Sequence, residues 1–296
     1  MDVTILDGGM GQELVARSGL SPSGLWSTEI MMARPDLVQE IHADYFAAGA
    51  VVATANTYAI HRDRLRPHGI EDRLEALHRQ ACGLACAARD AHGSGLVAGA
   101  LGPLGWSYSH DGAPPADVAA DLYHEICRIQ ADLVDLFLIE TIASIEQARG
   151  ALAGASGHGK PVWLALTVDD GDGTRLRSGE AVTDVRAAFV NGAPDALLLN
   201  CSVPEAVTQG LAALAAAGMG LPLGAYANGF TGIEKYFMKK GSAVAGLTAR
   251  KDLTPLAYGA MAEDWVGLGA SIVGGCCEVG PAHIAELTRR LGRRAA

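Results

Sequence analysis

Short apolar runs, most of them continuous rather than alternating, recur along the chain between glycine, proline and asparagine. Eight of them, at 3–7, 50–57, 96–102, 136–141, 162–168, 196–201, 221–228 and 270–275, read as strands. A continuous apolar run is what a parallel strand covered on both faces requires. Helix-like segments lie between them, at 35–48, 70–92, 116–132, 144–152, 183–190, 203–216 and 255–268. Asp36, Asp117 and Ser144 stand where helix caps or first-turn acids belong. Eight strands alternating with helices predict one domain over 1–296, a (β/α)8 or TIM barrel. A doubly wound open sheet needs fewer strands. No internal repeat and no linker is visible. The glycine-rich stretch 169–180 reads as a long loop suited to an active-site flap.

A barrel gathers its chemistry at the C-terminal ends of its strands. Here the runs end in Asp7-Gly8-Gly9, Asn56-Thr57-Tyr58, Gly102-Pro103, Glu140-Thr141, Asn200-Cys201, Asn228 and Gly275-Cys276-Cys277. Polar residues scattered along the chain become one cluster if the barrel closes.

Composition narrows the partners. Apolar residues make up 49% of the chain and charged residues 19%, enough for a sizeable core. The 23 Lys+Arg against 33 Asp+Glu leave a net charge of −10, which argues against nucleic-acid or anionic-membrane binding. Arg289, Arg290, Arg293 and Arg294 read as a solvated helix end. The stretch 206–233 carries no Asp, Glu, Lys or Arg, but glycines and Pro222 split it, so a helix running into a strand fits better than a membrane span. The first residues lack a basic, signal-like start, and a soluble, cytoplasmic protein is expected. No heptad or repeat marks an oligomer interface.

Six cysteines in such a chain are not a disulfide framework. Cys82, Cys86 and Cys127 fall in helical segments and read as core. Cys201 and the pair Cys276-Cys277 are different, because loops six and eight of a barrel can bring three thiolates to one ion. Zinc takes thiolates at about 2.3 Å in a tetrahedron, and three protein ligands leave a position open for substrate. Adjacent residues face one ion only where the chain has left the strand, a turn that Gly274-Gly275 permits. From spacing alone, core cysteines remain an equal alternative. No HExxH or paired histidine spacing supports a histidine-zinc hydrolase.

The other candidates have plain alternatives too. Asp7-Gly8-Gly9 is also the composition of a tight turn, and Gly9-x-Gly11-x-x-Leu14 lacks the third glycine of a dinucleotide fingerprint. Glu140 has the alternative of a structural ion pair with an arginine, although a carboxylate at a barrel mouth favours function, and Trp26 has that of packing or rim. Asp170-Gly171-Asp172-Gly173 starts like a calcium loop, but Ala181 occupies the position where that loop needs glutamate.

At these residues the sequence resembles the homocysteine S-methyltransferase family along nearly its whole length. The resemblance rests on Ile5-Leu6-Asp7-Gly8-Gly9-Met10-Gly11, on 54–58 and 99–105, on Glu140-Thr141-Ile142, on Asn200-Cys201 and on Gly274-Gly275-Cys276-Cys277. It implies a (β/α)8 barrel and a Zn2+ ion held by Cys201, Cys276 and Cys277, with homocysteine sulfur in the fourth position. It further implies that Glu140 holds the homocysteine ammonium and that Asp7 supports the same pocket. Gly8, Gly9 and Met10 would offer N–H groups to its carboxylate. Trp26 and Tyr58 match family aromatics near donor or metal, Asn56 joins them as a donor-side candidate, and Asn200 and Asn228 would orient loops. The partners implied are homocysteine and a small methyl donor.

Donor choice varies within the family. At 296 residues no room is expected for folate and cobalamin modules. Betaine-using relatives carry an aromatic after the strand-four glutamate, where this chain has Thr141. That difference favours a sulfonium donor, S-methylmethionine or S-adenosylmethionine. The chain departs from the family pattern at Tyr226-Ala227-Asn228-Gly229, where proline often precedes the asparagine, and at 169–173 and 230–240.

Overall fold

A computed structural model describes residues 2–20, 25–190, 192–233 and 247–292. Its eight strands are β1 Thr4–Ile5, β2 Val52–Thr54, β3 Leu96–Leu101, β4 Leu136–Ile142, β5 Val162–Leu166, β6 Ala196–Asn200, β7 Leu223–Tyr226 and β8 Ala270–Val273. All pair in parallel, in the order β1-β8-β7-β6-β5-β4-β3-β2. Past the end of β1, Leu6 bridges Val52 in parallel, and the Asp7 N–H donates to the Val52 carbonyl. The sheet is thereby closed into the expected barrel.

The helices are α1 Met10–Ser18, α2 Ser27–Ala33, α3 Pro35–Ala47, α4 Arg62–Leu65, α5 Leu74–His92, α6 Ala116–Gln130, α7 Ile145–Ala155, α8 Pro204–Ala216, α9 Pro255–Gly267 and α10 Pro281–Leu291. Proline starts α3, α8, α9 and α10, where its fixed φ suits a first turn and its missing N–H has no partner to lose. Ser144 caps α7 by accepting from the Gln147 N–H, and Asp36 and Asp117 lie in first turns, as the sequence predicts. The charge-free stretch 206–233 divides between α8, β7 and the loops around them. No helix among the described residues is long and apolar enough to cross a membrane.

Continuous apolar strands make sense once the two faces are separated. Leu6, Val52, Ala98, Leu136, Leu138, Ala165, Leu198 and Ile272 pack together inside the barrel. Their alternates, such as Val97, Phe137, Ile139, Leu164, Leu197 and Leu199, pack outward against the helices. Two-residue periodicity then continues upward on the inner face, taking β4 from Leu138 to Glu140, β6 from Leu198 to Asn200 and β7 from Gly224 to Tyr226.

Several elements differ from expectation. Helices α1, α2 and α4 are absent from the hydrophobic pattern, because they are short and rim the barrel mouth. The segment expected as a helix at 183–190 is a 3-10 turn, Val182–Ala188. It is short and holds β-branched Val182, Thr183 and Val185, which lower helix propensity. The loop 169–180 is no open flap: it folds into turns, with Asp169 N–H donating to Arg175 O and Leu176 N–H to Glu180 O. None of its residues lines the barrel-mouth cavity. The divergent segment 230–240 is described only to residue 233, and Arg293 and Arg294 lie outside the described residues.

Candidate active site

Cys201, Cys276 and Cys277 converge at the barrel mouth, their sulfurs all within 4.8 Å of one another. The chain just past β7 positions them, being hydrogen-bonded to both cysteine loops. Cys201 N–H donates to Tyr226 O at 3.2 Å and Asn228 N–H to Ser202 O at 3.1 Å. On the other side Cys276 N–H donates to Ala227 O at 3.0 Å and Gly229 N–H to Cys277 O at 2.8 Å. Asn228 is buried behind this segment, off the cavity wall, where its Oδ1 accepts from Phe230 N–H.

Glycine at both ends of the barrel seam serves space rather than turning. Neither Gly8-Gly9 nor Gly274-Gly275 has a positive φ. The two loops instead pack backbone to backbone, with Gly9 N–H donating to Val279 O at 3.0 Å and Gly275 N–H to Asp7 O at 2.9 Å. A β-carbon on Gly9 would lie 2.6 Å from Cys276 O, and one on Gly8 would collide with Val279 O. Gly9 thus has its N–H engaged. Met10, the first residue of α1, keeps an N–H without a partner among the described residues.

Two buried carboxyls face the same cavity. Asp7 is pinned by Thr54, whose N–H and Oγ1 donate to it at 2.7 and 2.8 Å. Glu140 accepts from Tyr226 Oη at 3.2 Å. Burial lifts Asp7 from 3.8 to about 7, against the hydrogen bonds from Thr54. Burial, joined by the nearby charge of Asp7, lifts Glu140 from 4.5 to about 8. Glu140 projects from a break in the ladder, since β4 loses register with β5 between Ile139 and Ile142. Asn200 spans the break: its Oδ1 accepts from Thr141 N–H at 2.9 Å and its Nδ2 donates to Thr141 Oγ1 at 3.0 Å.

Backbone strain collects here. The non-glycine residues with positive φ among those described are Trp26, Tyr108, Thr141, Cys201 and Glu278. The first four line the cavity and Glu278 adjoins Cys277. Such a conformation costs of order 1–3 kcal/mol each, more for a β-branched residue such as Thr141, and is kept where surrounding contacts fix it.

The cavity, about 130 Å³, is bounded by Asp7, Gly8, Gly9, Met10, Trp26, Asn56, Tyr58, Glu140 and the three cysteines. Trp26 lies over Gly11 and meets Tyr58 edge-on at 6.3 Å. Asn56 donates to Ser27 O at 3.3 Å. Tyr58 Oη is bonded to Ser107 Oγ, and the hydroxyl that reaches a cysteine belongs instead to Tyr108, 3.0 Å from Cys201 Sγ. Arg177 backs Tyr108 with its guanidinium 5.2 Å from the ring centroid and is anchored by Asp170. Sequence reasoning missed Tyr108, Tyr226, Thr54, Arg64 and Arg177. Only Tyr226 and Thr54 carried a signal, as inward positions at strand ends.

All six cysteines are free. Cys82 and Cys127 are buried in helices, and burial pushes the Cys82 thiol up to about 12, so the core reading fits both. In the cluster, burial opposes ionisation of Cys201, but hydrogen bonds from Cys276, Cys277 and Tyr108 outweigh it and hold its thiol well below the ordinary value. Cys276 and Cys277 are pushed up as Cys201 takes the charge. A tetrahedron of thiolates about 2.3 Å from a metal has sulfur–sulfur edges of about 3.8 Å. Cys201 and Cys277 lie 3.8 Å apart; Cys201 and Cys276, at 2.7 Å, are closer than that edge. The donor set suits a soft or borderline metal ion, with the cavity on its open side.

The raised Glu140 carboxyl predicts a pH effect on stability in the metal- and ligand-free protein. The unfolded chain releases this proton near pH 4.5 and the folded one near pH 8. Stability from this group is fully present below pH 4.5 and is lost as pH rises toward 8. Glu140→Gln removes the effect, so its melting temperature relative to the parent should climb between about pH 5 and pH 8.5. A pH-independent difference would mean that Glu140 ionises like an exposed acid.

Comparison with known proteins agrees with this geometry. The family model for homocysteine S-methyltransferase matches residues 4–291. The homocysteine S-methyltransferase of Escherichia coli K12 is 30% identical, over 98% of this chain and 95% of its own length. Homocysteine S-methyltransferase 4 of Zea mays is 26% identical, over 96% of this chain and 88% of its own. Among solved structures, the metallated form of the homocysteine methyltransferase MmuM from Escherichia coli superposes with a TM-score of 0.82 at 27% identity, covering 98% of this chain and 96% of that one. The chain belongs to the homocysteine S-methyltransferase family, a family of methyltransferases.

Proposed function

We propose that this protein transfers a methyl group from a sulfonium donor, S-methylmethionine first among them, to homocysteine held at a zinc ion, giving methionine. The observation that carries the reading is the meeting of three cysteine sulfurs and two buried carboxyls in one cavity. Cys201, Cys276 and Cys277 would hold the zinc, which when bound keeps a substrate thiol as thiolate at neutral pH.

The remaining roles fall to the chain itself. Asp7 and Glu140 hold the homocysteine ammonium. Their burial excludes the water that would screen the pair, and a cation beside them draws their raised pKa values back down. Met10 and Gly8 present backbone N–H groups to the carboxylate at the start of α1, where the helix dipole favours an anion. Asn200 fixes the Glu140-Thr141 turn, and Asn228 braces the segment between the cysteine loops. Trp26 and Asn56 border the donor side, where an indole face attracts an onium cation by roughly 0.5–2 kcal/mol. In the transfer the acceptor sulfur's electron pair forms the new S–C bond. The donor's C–S pair returns to the departing sulfur, so the sulfonium leaves as a neutral thioether.

The direct test offers S-methylmethionine, S-adenosylmethionine and betaine separately to the zinc-loaded protein with homocysteine. Methionine formed with S-methylmethionine is the expected result, and none with any donor overturns the reading. Cys276→Ser should lose stoichiometric zinc and reduce methionine formation to background while the fold persists by circular dichroism. Parental zinc content in that variant removes the metal assignment. Glu140→Ala should raise the KM for homocysteine about tenfold to a hundredfold, the loss of a charged hydrogen bond, with zinc retained. An unchanged KM would remove the ammonium role.

A further inference from the structure

Arg64, at the end of α4, is a cavity residue that the roles above leave unused. Its guanidinium carbon lies 5.6 Å from the ring centroids of both Tyr58 and Trp106, so two aromatic faces hold it in place. One of its nitrogens donates to Pro103 O at 3.2 Å. Its Nε is buried without a partner, and it forms no ion pair among the described residues. Most other arginines among the described residues pair with carboxylates. The Nε1 of Trp26, on the same cavity, is likewise buried and unpartnered. A buried donor left unsatisfied is costly, and a guanidinium fork matches a carboxylate.

The cavity is thus lined both by the acceptors Asp7 and Glu140 and by the donors Arg64 and Trp26. Arg64 already covers one face each of Tyr58 and Trp106, and its positive charge there opposes an onium group at the same place. An amino-acid acceptor finds its ammonium and carboxylate sites at Asp7, Glu140 and the start of α1. This leaves the guanidinium for an anionic group on the second substrate. Resting on the proposed reaction, we infer that Arg64 binds the carboxylate of the methyl donor, and so selects carboxylate-bearing onium donors.

The test compares S-methylmethionine with its methyl ester, which keeps the sulfonium and amine but loses the anion. Calorimetric binding to the zinc-loaded protein should favour the acid over the ester about tenfold or more. Arg64→Gln should weaken the acid to the level of the ester while leaving ester and homocysteine affinities unchanged, and Arg64→Lys should recover part of the loss. Equal binding of acid and ester by the parent protein overturns the inference, even if the Gln variant fails to fold. So does an Arg64→Gln loss that falls equally on both, or on homocysteine. The two readings fail separately. An acid preference that depends on Arg64 without methionine formation sinks the reaction alone, whereas turnover with a donor KM untouched by Arg64→Gln sinks the carboxylate site alone.

Discussion

The chain from Tyr226 to Gly229, continuing β7 beyond the sheet, is hydrogen-bonded on one side to the Cys201 loop and on the other to Cys276-Cys277. Because β7 lies between β6 and β8 in the sheet order, its extension sets the distance between sulfurs some 75 residues apart. Cys201 must adopt a positive φ to turn its sulfur into the cavity, and this four-residue cradle is what holds it there. Tyr226 adds a second function through its hydroxyl on Glu140. One segment thus ties the sulfur cluster to the acid that shares its cavity.

Desolvation gives these groups their reactivity. The same burial that raises Asp7 and Glu140 makes them strong partners for a cation, since little water remains to compete. The thiols respond differently, because their mutual hydrogen bonds and Tyr108 concentrate negative charge on Cys201 against the burial. Support comes from behind as well as beside. Arg177, its side chain almost wholly buried, stacks under Tyr108 and pairs with Asp170, which also accepts from Val203 and Ile233 N–H groups. The glycine-rich loop thus acts as a foundation for the cysteines rather than a cover over them.

Much of this was legible in the sequence for identifiable reasons. The strands could be read because both barrel faces are apolar, leaving Leu197-Leu198-Leu199 no polar side to show. Their ends could be read because a barrel concentrates polar residues there, as at Asp7, Glu140 and Asn200. Other features gave no periodic signal. Tyr108, Arg64 and Trp106 come from loops or a one-turn helix, where apolar spacing says nothing about direction. The reason for Gly8-Gly9 and Gly274-Gly275 was also hidden, since it lies in the contact between the two pairs.

By itself the sequence determined the eight strands, the longer helices that flank them, the barrel and the identity of the chemical groups, because burial patterns and residue chemistry are local properties. Tertiary structure decided which tyrosine meets the cysteines, which N–H groups between Gly8 and Met10 stay available, and that Arg64 comes to the cavity without an acid beside it. Those outcomes depend on how segments far apart in the chain meet. No spacing along the chain encodes them, because they arise only when the barrel closes and the loops compete for the same hydrogen bonds.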